Sequence, residues 1–163
     1  MNNSVTIITP NDRDVVLTRI FDAPRQLVFD ALTRPELLAR WYGPAGWTLL
    51  VCEIDLRVGG KWHFVSQRPD GKKFGQLGVY QEIVPGQRIV NTETWEDWGA
   101  GETLVTTVLV EHAGRTTLTS TVRFPSQAVR DTVLKGGMAS GAEQEYEKLA
   151  AFLAETQAVA RRS

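Results

Sequence analysis

The chain has 163 residues, 42% of them hydrophobic and 23% charged, a length and balance suited to one soluble globular domain that needs neither disulfide nor metal to fold. Eighteen basic side chains face nineteen acidic ones, so no large net field favours nucleic acid or an anionic membrane, and no segment approaches the roughly 18 apolar residues of a membrane span. Cys52 is the single cysteine, which excludes an internal disulfide and fits a reducing compartment, and the opening "MNNSVTIITPNDRD" has neither a basic leader nor a continuous apolar run, so a cytoplasmic location is expected.

Neither repeat nor long linker divides the sequence, and residues 1–163 read as one domain with its core at about 14–156. Residues 14–22, "DVVLTRIFD", are rich in β-branched side chains and predict a strand. Asp22 as N-cap with Pro24 near the first helical position predicts a helix that stops near Thr33, because Arg34 precedes Pro35 and is pushed toward extended geometry. A second short helix runs from Pro35 to about Trp41, with Leu37, Leu38 and Trp41 on one side, and stops at Gly43-Pro44.

From Thr48 the period changes to two. Leu50, Cys52, Ile54, Leu56 and Val58 fall on one face and Glu53, Asp55 and Arg57 on the other, which predicts a half-buried strand. Gly59-Gly60 turns the chain into a strand on which Trp62 and Phe64 share one face and Lys61 and His63 the other. Pro69-Asp70-Gly71 is a further turn. Strands follow at about 74–84, 87–96, 102–112 and 115–124, parted by Pro85-Gly86, Gly99-Ala100-Gly101 and Ala113-Gly114, as in an antiparallel meander. Ser126 is placed to cap a terminal helix whose stripe is Met138, Ala142, Tyr146, Leu149 and Leu153, and the tail "VARRS" reads as a frayed end. The order β-α-α-β6-α predicts an α+β fold, a curved antiparallel sheet closing on one long helix.

The segments "FDAPRQLVFDALTRPELLARWYGP", "DLRVGGKWHF", "GVYQEIVPGQRIVNTETW" and "GGMASGAEQEYEKLAAFL", in that order over roughly residues 14–156, resemble the START-like (SRPBCC, helix-grip) superfamily, in its bacterial branch named after the activator of the heat-shock protein 90 ATPase. The resemblance implies a sheet wrapped around the C-terminal helix and an apolar cavity able to admit a lipid, polyketide or aromatic metabolite. It departs at one point: the eukaryotic activator carries an additional N-terminal domain that engages the chaperone, for which this sequence has no room, and that puts a chaperone partner in doubt.

The residues carry an argument for a cavity of their own. Gly136, Gly137 and Gly141 sit in or beside the first half of the terminal helix, where an interior glycine costs about 1 kcal/mol relative to alanine. Either they mark a break before the helix, or they leave space between helix and sheet. The heavy anchors Tyr146, Leu149, Phe152 and Leu153 all lie later, so open volume is expected near Met138 and Gly141. Trp41 and Trp47 flank "YGPAG", a loop placed to lie across the open side as a movable lid, above Trp62 and Phe64; Tyr80 and Trp95 are further wall candidates. For each of these aromatics taken singly, plain core filling is the favoured reading.

Catalytic chemistry finds little support. His63 and His112 have no histidine or cysteine at metal-ligand spacing, no G-x-S-x-G elbow occurs, and "VGGKW" is too short for a phosphate loop, so neither metal nor cofactor is expected. Asp55 and Arg57 are expected to form a solvated pair or to bind turn backbone. Glu93 and Glu145 could face the interior, where burial would raise their pKa values and suit them to acid-base work, although exposure on the surface is the favoured reading. The leading expectation is a non-catalytic domain that binds a small hydrophobic molecule. A cyclase- or aromatase-like enzyme, requiring Glu93, Glu145, Arg88 or Tyr80 to converge inside, and a stress-linked cochaperone or protein-interaction module are the alternatives.

Overall fold

The computed structural model describes residues 4–99 and 101–162. Eight strands, β1 (Thr6–Ile8), β2 (Asp14–Phe21), β3 (Thr48–Ile54), β4 (Lys61–Gln67), β5 (Lys73–Val84), β6 (Arg88–Trp95), β7 (Thr103–His112) and β8 (Arg115–Arg123), form one antiparallel sheet in the order β1-β2-β8-β7-β6-β5-β4-β3. Helices α1 (Arg25–Thr33) and α2 (Pro35–Trp41) carry the chain from β2 across to β3 at the far edge of the sheet, and α3 (Gln127–Lys135) and α4 (Met138–Arg162) follow β8. The α+β architecture expected from the turn spacing is present, with β1 and α3 in addition.

Several local expectations are corrected. The α1 cap is Pro24, in extended geometry and with no side-chain hydrogen bond, so the helix begins too late for Asp22 to cap it; the Asp22 carboxylate instead accepts from Arg115 Nε at 2.7 Å. A register shift between Leu49 and Val51 turns Leu49, Cys52 and Ile54 toward the core and leaves Leu50 outside, 45% exposed. Leu56 and Val58 are not strand residues at all. They lie in a loop closed by the Arg57–Asp55 pair at 2.8 Å and stay exposed, while Gly60 is packed so tightly that a Cβ there would stand 2.0 Å from the Asp55 carbonyl oxygen. The C-terminal segment does not fray at 159: α4 continues to Arg162.

The break at Gly136-Gly137 is one of the two explanations offered by the sequence. Gly137 has a φ of +96°, a left-handed conformation that ends α3 and lets α4 leave in a new direction. Ser126 is an N-cap, its hydroxyl accepting from the Val129 N–H at 3.2 Å, but of the separate helix α3 rather than of the terminal helix expected.

Packing falls into two groups. Phe21, Val28, Leu38, Trp41 and Leu118 meet Leu149, Phe152 and Leu153 of α4 in the larger one. Val15, Leu17 and Phe124 form the smaller, against Val129 and Val133 of α3 and Met138 and Ala142 of α4. Trp41 knits α1 to α2, its indole N–H donating to the Ala31 carbonyl at 3.0 Å. Gly78 has a strict steric reason: opposite Trp62 in the ladder, it lets the Trp62 indole lie across β5 and donate to the Thr92 carbonyl at 3.2 Å, where a Cβ would come within 1.9 Å of that same oxygen.

Candidate functional site

Between the two packed groups lies a cavity of about 790 Å³. The alternation of β4, β5 and β6 supplies one wall. Cross-strand register sets Cys52, Phe64, Gln76 and Trp95 in one row and Tyr80 beside Asn91 in another. Along β5 the inward side chains are Phe74, Gln76 and Tyr80, with Gly78 making room for Trp62. The opposite wall is the first half of α4 with the end of α3.

Two chains of aromatic rings line it. The inner one runs Trp41, Tyr42, Phe64, Trp62 with centroid separations of 5.9, 5.2 and 4.9 Å; the outer runs Trp47, Phe74, Trp95 at 5.3 and 6.5 Å. Trp47 is half-buried, whereas Trp41 and Trp62 are buried and so fill core as well as wall. The loop 42–47 that carries Trp47 is tied to α4: the Lys148 ammonium donates to the Gly43 carbonyl at 3.1 Å and the Ala45 N–H to Gln144 Oε1 at 3.1 Å. Pro44 of this loop packs over Gly141, where an added Cβ would stand 3.8 Å from Pro44 Cγ, an ordinary contact.

All ten residues singled out in the sequence, Trp41, Trp47, Trp62, Phe64, Tyr80, Trp95, Met138, Gly141, Glu93 and Glu145, border this one space. For Glu93 and Glu145 the favoured expectation of surface exposure is overturned. Glu93 sits two residues from Trp95 on the inward face of β6, and Glu145 lies four residues beyond Gly141 on the inward face of α4, so the pleat and the helical turn carry both carboxylates inside. Arg88 does not join them; it points away and pairs with Glu82 at 3.2 Å.

The carboxylates stand in a polar patch within apolar walls. Tyr42 donates its hydroxyl hydrogen to Gln76 Oε1 at 2.9 Å, and the Gln76 side chain in turn bonds Glu93, which also takes a hydrogen bond from the Trp95 side chain. Burial pushes Glu93 up to about 7 against those two hydrogen bonds. Burial and then repulsion from Glu93 push Glu145 up to about 7, opposed by Lys148 and by the Gly43 backbone. Burial, reinforced by Glu145 and Glu93, holds the Tyr42 phenol well above its ordinary value, so it remains a neutral donor. Chemically the patch can accept hydrogen bonds, hold a proton near neutrality and attract positive charge.

Sequence reasoning passed over Tyr42, Gln76, Phe74 and Trp98, which also line the cavity. A signal existed for Gln76, a polar residue in the inward register of Phe74 and Tyr80; Tyr42 follows a helix end, where no period indicates direction. Among the described residues, no group of three His, Cys, Asp or Glu could hold a metal ion, and no helix is long and apolar enough to cross a membrane.

The model of a protein family described as activator of Hsp90 ATPase homolog 1-like protein matches residues 22–154. The chain belongs to this family. The matched span contains α1, α2, every strand from β3 to β8, α3 and α4 up to its last two turns, and with them every residue lining the cavity except Leu17. Among solved structures, a Rhodobacter sphaeroides protein is 30% identical, with a TM-score of 0.89, over 94% of this chain and 99% of that one. A Nitrosomonas europaea protein is 26% identical, with a TM-score of 0.83, over 92% and 99%. The AHSA1 protein of Silicibacter pomeroyi, 24% identical with a TM-score of 0.72 over 88% and 99%, shares the fold. Among curated proteins no match was found. The helix-grip fold of this AHSA1-like chain is thus shared with these structures over 88% to 94% of its length.

Proposed function

We propose that this AHSA1-like chain is a single cytoplasmic domain that binds a small, largely apolar molecule in its interior and performs no chemistry on it. One observation carries the reading: a space of about 790 Å³, within the size range of ligand pockets, bordered by two runs of aromatic rings and left unfilled where side chains on α4 are small. Family membership supports a ligand-binding or cochaperone-like role without choosing between them. Native mass spectrometry of the purified protein, with thermal shift against lipids, polyketides and aromatic metabolites, tests the proposal. A true ligand at about one hundred times its Kd stabilises by about 2.7 kcal/mol. A panel that leaves the melting temperature unmoved, with no co-purifying mass, sinks it.

A second reading has one specific observation in its favour, the convergence of Glu93, Glu145 and Tyr42 on the same part of the cavity. Two carboxylates titrating near neutrality beside a phenol could move protons on a bound substrate. Recovery of the bound molecule chemically unchanged after prolonged incubation excludes this cyclase-like reading; a time-dependent product that disappears in Glu93→Gln establishes it.

A further inference from the structure

The cavity wall is apolar over most of its extent, but its charge is of one sign. Among the described residues that line it, Glu93 and Glu145 are the only charged side chains, and none is Lys, Arg or His. They come from unrelated elements, β6 and α4, and act on each other and on Tyr42. Lys148, the cation that acts on Glu145, also donates its ammonium to the Gly43 carbonyl, where it holds the loop 42–47. Glu93 has hydrogen-bond donors, Gln76 and Trp95, but both are neutral. Glu93 has no cation acting on it and Glu145 has only Lys148, so the two partly buried carboxylates leave an excess of negative charge in this wall, and enclosing such a charge is costly.

Resting on the binding role argued above, we propose that the cavity selects a cationic amphiphile: an apolar, flat or elongated body bearing one protonated nitrogen, whose N–H groups bond Glu93 and Glu145. The same arrangement rejects fatty acids and other carboxylates. Such a head group would add negative charge beside two carboxyl groups, where none of the described lining residues is Lys, Arg or His.

The test uses three probes with one naphthalene body: 2-(aminomethyl)naphthalene, protonated at pH 7.5, 2-(hydroxymethyl)naphthalene and 2-naphthoate. Affinities come from tryptophan quenching and calorimetry on the full chain. Charge-assisted hydrogen bonds should favour the amine over the alcohol by about tenfold or more, with the carboxylate weaker than the alcohol by a similar factor. In the Glu93→Gln/Glu145→Gln double variant the amine's advantage disappears while the alcohol still binds. An amine no tighter than the alcohol, or a carboxylate as tight as the amine, overturns the charge selection while leaving apolar binding intact. Binding of none of the three removes both this inference and the reading beneath it. Should the double variant fail to fold, the ranking on the unaltered protein decides alone, and Glu145→Gln provides a milder check.

Discussion

The two halves of α4 are continuous helix, yet they meet the sheet in opposite ways. From Leu149 to Leu153 the helix is sealed against α1, α2 and the sheet, with Leu149 wholly buried and Leu153 2% exposed. From Met138 to Tyr146 the inward positions are Met138, Gly141, Ala142 and Glu145, and they border empty space. Side-chain volume explains the contrast: a glycine and an alanine at positions 141 and 142 cannot reach across to the sheet. The difference teaches that tight packing and open volume can be assigned to separate turns of one helix.

Substitutions sharpen the contrast. Leu149→Ala should cost about 3 kcal/mol in urea unfolding, the loss of a fully buried leucine plus its new cavity, while leaving ligand affinity little changed. A loss under 1 kcal/mol would show that the sealed half is looser than its packing. In the open half, Glu93→Gln/Glu145→Gln should raise stability at pH 8 by on the order of 1–3 kcal/mol. The sign follows from native pKa values near 7 against an unfolded value of 4.5: the native state holds protons longer, so ionisation costs it stability as pH rises from 4.5 through 7. The advantage of the variant therefore vanishes near pH 4.5, and thermal melts across that range check it; an advantage that grows toward low pH contradicts it.

Backbone tests come next in size. Gly141→Ala should stabilise by about 1 kcal/mol, because its Cβ meets only ordinary contact and helix propensity improves. Gly137→Ala should destabilise by about 1 kcal/mol, because alanine is strained at a φ of +96°. Equal effects at the two glycines in chemical melts would erase the distinction between spacer and breaker. Met138→Ala should be the mildest, under about 1 kcal/mol, since a side chain that already borders open volume loses few packing partners.

Much of the fold was legible because turns and periods act locally. Pro85-Gly86 and Ala113-Gly114 separate strands where expected, and Pro35 divides α1 from α2. Legibility failed where alternation and true geometry parted. Leu56 and Val58 continue a two-residue period into a loop, and a register shift after Leu49 reverses the face of Leu50; neither event leaves a mark in the pattern of hydrophobicity. The small β1 was missed because three residues hold too little pattern, and its pairing with β2 supplies what propensity does not.

The site divides the same way. Aromatic residues could be picked out one by one, but a tryptophan in a wall and a tryptophan in a core have the same sequence signature. Carboxylates were harder still, because the cost of burying charge argues for the surface unless other elements enclose it.

By itself the amino-acid order determined the succession of strands and helices, the cap at Ser126, the break at Gly136-Gly137 and the light-then-heavy gradient along α4, since each depends on backbone geometry or volume within a few residues. Tertiary structure alone decided that β3 and β2 stand at opposite sides of the sheet, that Tyr42, Gln76, Glu93 and Glu145 meet, and that a space remains between them. Those outcomes depend on distances between segments up to a hundred residues apart, and whether such segments fill the volume between them is a property of the assembled shape, which no local period encodes.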